Sequence, residues 1–80
     1  DAFKIEPWIY VLRKNSNGED VENLQKALMA LGYSEVETID GSFGPKTDSA
    51  VRRFQKDNDL AVDGLCGPNT KEMLKVKTGS

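Results

Sequence analysis

The chain has 80 residues, enough for one domain. Its 13 acidic and 11 basic residues leave a net charge of −2, which argues against nucleic acid as a partner, since that role leaves a basic footprint. One cysteine and no histidine exclude an internal disulfide, a His-based zinc site and a thiolate cluster, so helix packing and capping must carry the fold.

Residues 1–11 are rich in apolar and aromatic types, among them Phe3, Trp8, Tyr10 and Val11, and Pro7 argues against a long helix through them. They read as an N-terminal extension across the body of the domain. A polar loop follows from Arg13 to Gly18. Val21, Leu24, Ala27, Leu28 and Leu31 then recur at helical intervals and predict a first helix over about 19–31. Glu22, Asn23, Gln25 and Lys26 are expected to face the other way. Glu19 and Asp20 suit the positive end of the helix dipole, and Gly32 suits a C-terminal cap.

Tyr33 to Thr38 is a connection. Gly44-Pro45 marks a second helix start, because proline is favoured at the first helical position. That helix is expected over about 45–58, with Ala50, Val51 and Phe54 inward and Arg52, Arg53, Gln55 and Lys56 toward water. A short third helix is expected from Pro68 to about Lys75, burying Met73 and Leu74, with 76–80 as a C-terminal tail. No signal-peptide pattern and no membrane-spanning apolar run is present. A chain acting outside the cell would then be a piece of a longer secreted parent.

One segment occurs twice. Val62-Asp63-Gly64-Leu65-Cys66-Gly67-Pro68-Asn69-Thr70 repeats Ile39-Asp40-Gly41-Ser42-Phe43-Gly44-Pro45-Lys46-Thr47 at an offset of 23 residues. Asp40 and Asp63 are expected to accept from backbone amides two residues on. Gly41 and Gly64 are expected at backbone angles costly for other residues. Gly44 and Gly67 fall at or beside an N-cap, and Thr47 and Thr70 in the first helical turn, where a hydroxyl can help satisfy a free amide. The expected architecture is all-α: a three-helix bundle with two similar corners.

These residues also carry a family resemblance. Leu12-Arg13, a short polar loop, Gly18, Val21 and Leu24-Gln25 are similar to the opening of the peptidoglycan-binding domain family found beside cell-wall amidases, carboxypeptidases and lysins. Asp40-Gly41-x-Phe43-Gly44-x-x-Thr47, then Val51 and Phe54-Gln55, resemble that family's central signature. Val62-Asp63-Gly64-x-x-Gly67-x-x-Thr70 resembles its closing one. Asn15 stands where the family commonly has glycine. The likeness covers about residues 12–75, taken as the domain, and implies a three-helix fold that binds peptidoglycan or muropeptide without catalysis. It also implies a covalently linked hydrolase in the parent and a place outside the cell, on the wall. No cofactor, metal, membrane or nucleic-acid partner is expected, and the module is expected to be a monomer.

Sugar rings stack on aromatic faces and peptide carboxylates need cations or free amides, which makes Phe43, Gly44, Tyr33, Arg52 and Arg53 the candidate ligand residues. Each has a plainer reading: Phe43 as a core plug, Tyr33 packed on the first cap, the arginines as a solvated face. Ser42 and Leu65 sit at variable positions of the two turns. Asp40 and Asp63 make a poor acid–base pair, since the turns already account for both. Cys66 reads as a small, half-buried residue. The alternative function is a regulatory or propeptide-like module packed on an adjacent catalytic domain.

Overall fold

The apolar residues placed on common helix faces by their spacing do meet in one core. Val21, Leu24, Ala27, Leu28, Ala50, Val51, Phe54 and Leu74 are all buried, with Leu31, Leu60 and Met73 packed against them. Each large side chain removed from water contributes about 1.5–3 kcal/mol, and in a domain this small that set supplies most of the driving force. The structure, a computed structural model, describes residues 11–79; the aromatic lead-in at 1–10, with Trp8 and Tyr10, and Ser80 lie outside the described residues.

The elements are α1 (Glu19–Ala30), a 3₁₀ turn (Ser34–Val36), α2 (Pro45–Asp57) and α3 (Pro68–Thr78). Among the described residues there is no strand, only isolated antiparallel bridges pairing Leu12 with Cys66 and Asn17 with Ser42. The fold is therefore the expected all-α, three-helix one.

Helices α1 and α2 stop in the same way. Gly32 takes φ +93, its N–H donates to Met29 O, and the Tyr33 N–H reaches back to Leu28 O at 2.9 Å. At the end of α2, Asp59 takes φ +57, and the Leu60 N–H reaches Gln55 O at 2.8 Å. Both satisfy orphan carbonyls through a left-handed residue just past the cap. Asp59 does so without being glycine, a strain of about 1–2 kcal/mol.

Helix α3 runs to Thr78, beyond the expected end near Lys75. It takes in Val76, Lys77 and Thr78, which were read from sequence as tail. Nothing between Lys75 and Gly79 breaks a helix. Lys75 and Lys77 suit the negative end of the dipole, the Thr78 hydroxyl donates to Leu74 O at 2.8 Å, and Gly79 turns the chain at φ +76.

The polar loop from Leu12 to Gly18 ties the two repeated segments together. Leu12 and Cys66 exchange backbone bonds of 3.2 and 2.8 Å. The Asn15 N–H donates to Phe43 O, the Phe43 N–H to Ser16 O and the Gly18 N–H to Gly41 O, each at 2.9 Å. Asn15 sits at φ +81, the left-handed region that asparagine tolerates better than most residues. It can thus occupy a place where the resembled family commonly has glycine.

Candidate functional site

Each repeated segment folds into a corner that leads into a helix. In the first, Asp40 Oδ1 accepts from the Ser42 N–H at 2.9 Å; in the second, Asp63 Oδ1 accepts from the Leu65 N–H at 2.9 Å. These are the expected bonds to amides two residues on. Gly41 and Gly64 both take φ +73, where a side chain would be strained. Gly44 and Gly67 are the N-caps of α2 and α3, each followed by proline at the helix start.

A buried glutamine holds each corner together. Gln25 Oε1 accepts from the Asp40 and Gly41 amides at 3.1 and 2.9 Å. Its Nε2 donates to Asp40 Oδ1, Ser42 O and Thr47 Oγ1 at 3.0–3.1 Å. Gln55 repeats the pattern: Oε1 accepts from Asp63 and Gly64, and Nε2 donates to Asp63 Oδ1, Leu65 O and Thr70 Oγ1. Both glutamines are 1% exposed, so the placement of Gln25 and Gln55 on wet helix faces is corrected, as is that of Asn23, which is buried too. The threonine role changes as well: Thr47 and Thr70 accept from these amides across the corner.

The spacing carried a signal for this. Gln25 lies four residues after Val21 and three before Leu28, on the apolar stripe itself, and Gln55 lies four after Val51. A polar residue can occupy such a place only with its hydrogen bonds met. Here each glutamine satisfies two backbone N–H groups and one carbonyl of its turn.

The network also sets the charge state. The Ser42 amide and the Gln25 side chain hold the Asp40 carboxyl below its ordinary range. The Leu65 amide and Gln55 do the same for Asp63. Two carboxylates locked in the ionised form are poorly placed to act as a general acid near neutral pH.

Phe43 and Cys66 occupy matching positions 23 residues apart and both point inward. Phe43 is 1% exposed, so its ring is a core plug and offers no face to a sugar. Cys66 is fully rather than half buried, and burial pushes its thiol up to about 12, an unreactive state.

The other candidates do not converge on one place. Tyr33 is largely buried; its OH donates to Asp57 Oδ2 at 2.8 Å and its ring meets Phe54 edge-on with centroids 5.7 Å apart. Burial, with that bond second, pushes its phenol up to about 12. Arg53 lies over the Tyr33 ring at 5.2 Å and pairs with Glu35 at 2.7 Å. Arg52 stands elsewhere, paired with Asp48 at 3.1 Å and donating to Asp63 O at the second corner. Of the five candidates, only Gly44 lines the groove beside the first corner.

Two grooves of about 260 Å³ open beside the corners. The first is lined by Val36, Thr38, Ser42, Gly44 and Lys46, the second by Val11, Ala61, Leu65, Gly67 and Asn69. Four of these pairs correspond across the repeat: Thr38 with Ala61, Ser42 with Leu65, Gly44 with Gly67 and Lys46 with Asn69. At two of these pairs a polar residue of the first corner, Thr38 or Ser42, matches an apolar one of the second, Ala61 or Leu65. Of these wall residues the sequence singled out only Gly44, Ser42 and Leu65 as possible contact positions, because grooves form only when separate segments meet.

Comparison with known proteins places this arrangement. The family model described as "Putative peptidoglycan binding domain" matches residues 17–74, both corners included. The chain is 42% identical over 65 residues to the N-acetylmuramoyl-L-alanine amidase CwlL of Bacillus licheniformis, covering 80% of this chain and 18% of that protein. It is 44% identical over 66 residues to the zinc D-Ala-D-Ala carboxypeptidase of Streptomyces albus G, covering 79% and 25%. The chain thus spans a quarter or less of the length of these relatives. The crystal structure of the SleB N-terminal domain superposes with a TM-score of 0.81 at 40% identity, covering 99% of this chain and 100% of that one.

Proposed function

This chain belongs to the peptidoglycan-binding domain family, and on that footing we propose that it holds a linked wall hydrolase on insoluble substrate without doing chemistry itself. The observation that carries the reading is the span of the family match. It takes in both glutamine-held corners, yet the chain covers only a small part of each wall enzyme. Tethering raises the local concentration of a linked enzyme on a polymer that cannot diffuse. The place of action is the cell wall, outside the membrane. The names of the two relatives specify bonds to alanine, so the ligand of this chain is taken to be a wall polymer bearing alanine-containing peptides. Gly44 and the first-corner groove, with Arg52 beside the second corner, are the contact positions kept from the sequence; Tyr33 and Arg53 are assigned to the packing of α2 on the 3₁₀ turn.

Co-sedimentation with purified peptidoglycan tests the proposal. The 80-residue chain should pellet with the wall and leave soluble wall fragments unreleased. A chain that stays in the supernatant at low salt, beside a wall-binding control that pellets, would sink it.

A further inference from the structure

The second corner carries side chains that its own folding does not use. Leu65 is 37% exposed and Val62, just before the Asp, is 49% exposed, whereas the core of the corner is closed by Cys66. Leu65 lines the groove with Val11, Leu60 and Ala61. It also lines a second depression of about 190 Å³, where Arg13, Lys14 and Arg52 meet Asp48 and Asp63. One leucine therefore divides an apolar groove from a charged hollow.

The charges in that hollow do not cancel. Asp48 already accepts from Arg52, and Asp63 Oδ1 is taken by the Leu65 amide and Gln55. Among the described residues neither Arg13 nor Lys14 is ion-paired. Three cations against two carboxylates leave a local positive surplus on a chain whose net charge is −2. The backbone that carries the two loop cations is held on both sides: the Leu12–Cys66 pair precedes it, the Arg13 N–H donates to Ser16 Oγ at 3.0 Å and the Asn15 N–H to Phe43 O.

Gly67, at the groove wall, adds an independent sign. Its φ of −92 suits any residue, and a Cβ there would meet only Val11 Cγ2 at 3.7 Å, an ordinary contact. Neither strain nor crowding calls for glycine, and Asn, Asp or Ser would cap α3 better. What glycine does at this place is leave the groove open.

We infer that this side of the molecule is a subsite for a short alanine-containing peptide with a free carboxyl terminus. An alanyl methyl enters the groove of Leu60, Ala61 and Leu65, and the carboxylate is received by Arg13, Lys14 and Arg52, which bind carboxylates through charge-assisted hydrogen bonds. The inference rests on the wall-binding reading and narrows it: this corner holds the peptide of the polymer, not its sugar strand.

The test is an amide-shift titration of the 80-residue chain with three probes: a synthetic peptide ending in D-Ala-D-Ala as the free acid, the same peptide as its C-terminal amide, and an N-acetylglucosamine oligomer. The free acid should move Gly64, Leu65, Gly67 and Asn69. The amide should bind about tenfold more weakly, the loss of one hydrogen bond to a charged group. Arg13→Glu should weaken the free acid and leave the amide little changed. Gly67→Ala should keep the native amide spectrum and melting temperature yet weaken both peptides. Equal binding of acid and amide, or shifts at this corner from the sugar alone, overturns the subsite. A chain that pellets with insoluble wall while the peptide moves none of these amides also overturns it and leaves wall binding standing. A chain that neither pellets nor shifts overturns both.

Discussion

At the first corner a glutamine from α1 reaches forward 15 residues to hold Asp40; at the second a glutamine from α2 reaches only 8 to hold Asp63. The bonds they make are the same, atom for atom. Outside that frame the corners diverge. Phe43 fills the core where Cys66 does at the second, and Ser42, Thr38 and Lys46 line a groove where the second presents Leu65, Ala61 and Asn69. The frame therefore demands only the glutamine, the Asp-Gly pair and the threonine. The residues between them are free to serve the core on one side and to line a groove on the other.

The largest test of this division is in the core. Phe43→Ala should cost about 3–5 kcal/mol, through lost burial and the cavity left behind, whereas Cys66→Ala, one heavy atom at the matching place, should cost only about 1 kcal/mol. Urea unfolding measures both, and similar losses would mean that the two inward positions are not distinguished by size. Next come the glutamines. Gln25→Leu and Gln55→Leu leave several buried polar groups unpaired, and each should lose about 2–4 kcal/mol, the two agreeing within about 1 kcal/mol. A clear inequality would show that one corner tolerates water where the other does not.

Smaller effects are expected at the turn glycines. Gly41→Ala and Gly64→Ala force alanine to φ +73 at about 1–2 kcal/mol each. A Cβ at Gly64 also comes within 2.6–2.9 Å of the Asp48 and Arg52 side-chain ends. That pair must move, so Gly64→Ala alone should alter Arg52 in the side-chain spectrum. The smallest effect is electrostatic. Both Asp40 and Asp63 have carboxyls lowered below the ordinary 3.8. Their contribution is therefore present above that value and is lost as pH falls through their lower folded values. Melting temperature should begin to drop as pH passes below about 4, with Asp40→Asn and Asp63→Asn each blunting the drop. A drop unchanged in both variants would assign acid lability to other carboxylates.

How far the sequence reached depends on the residue. The stripe of Val21, Leu24, Ala27 and Leu28 was legible because burial follows spacing, and so were the two Asp-Gly turns, because their bonds are local. Gln25 and Gln55 were misplaced since polarity was given more weight than angle on the helix. For Tyr33, Arg53, Phe43 and Gly44 the sequence left a ligand contact and a plainer role both open, and only packing separated them into a core plug, a groove wall and a clasp between α2 and the 3₁₀ turn. End effects were also hidden: α3 continues past Lys75 because a glycine four residues on closes it.

What the sequence by itself determined is the local grammar of this protein: three helices, two of them started by Gly-Pro, one turn written twice, and the family to which they belong. Those features depend on backbone angles and on bonds between near neighbours, which the residue order contains directly. What only the tertiary structure decided is which polar residues are buried and which surfaces are hollow. Arg13 and Lys14 come to lie beside Leu65, about fifty positions on, because the Leu12–Cys66 bridge brings them there. A contact across that distance is fixed by the packing of the whole chain and by no short stretch of it.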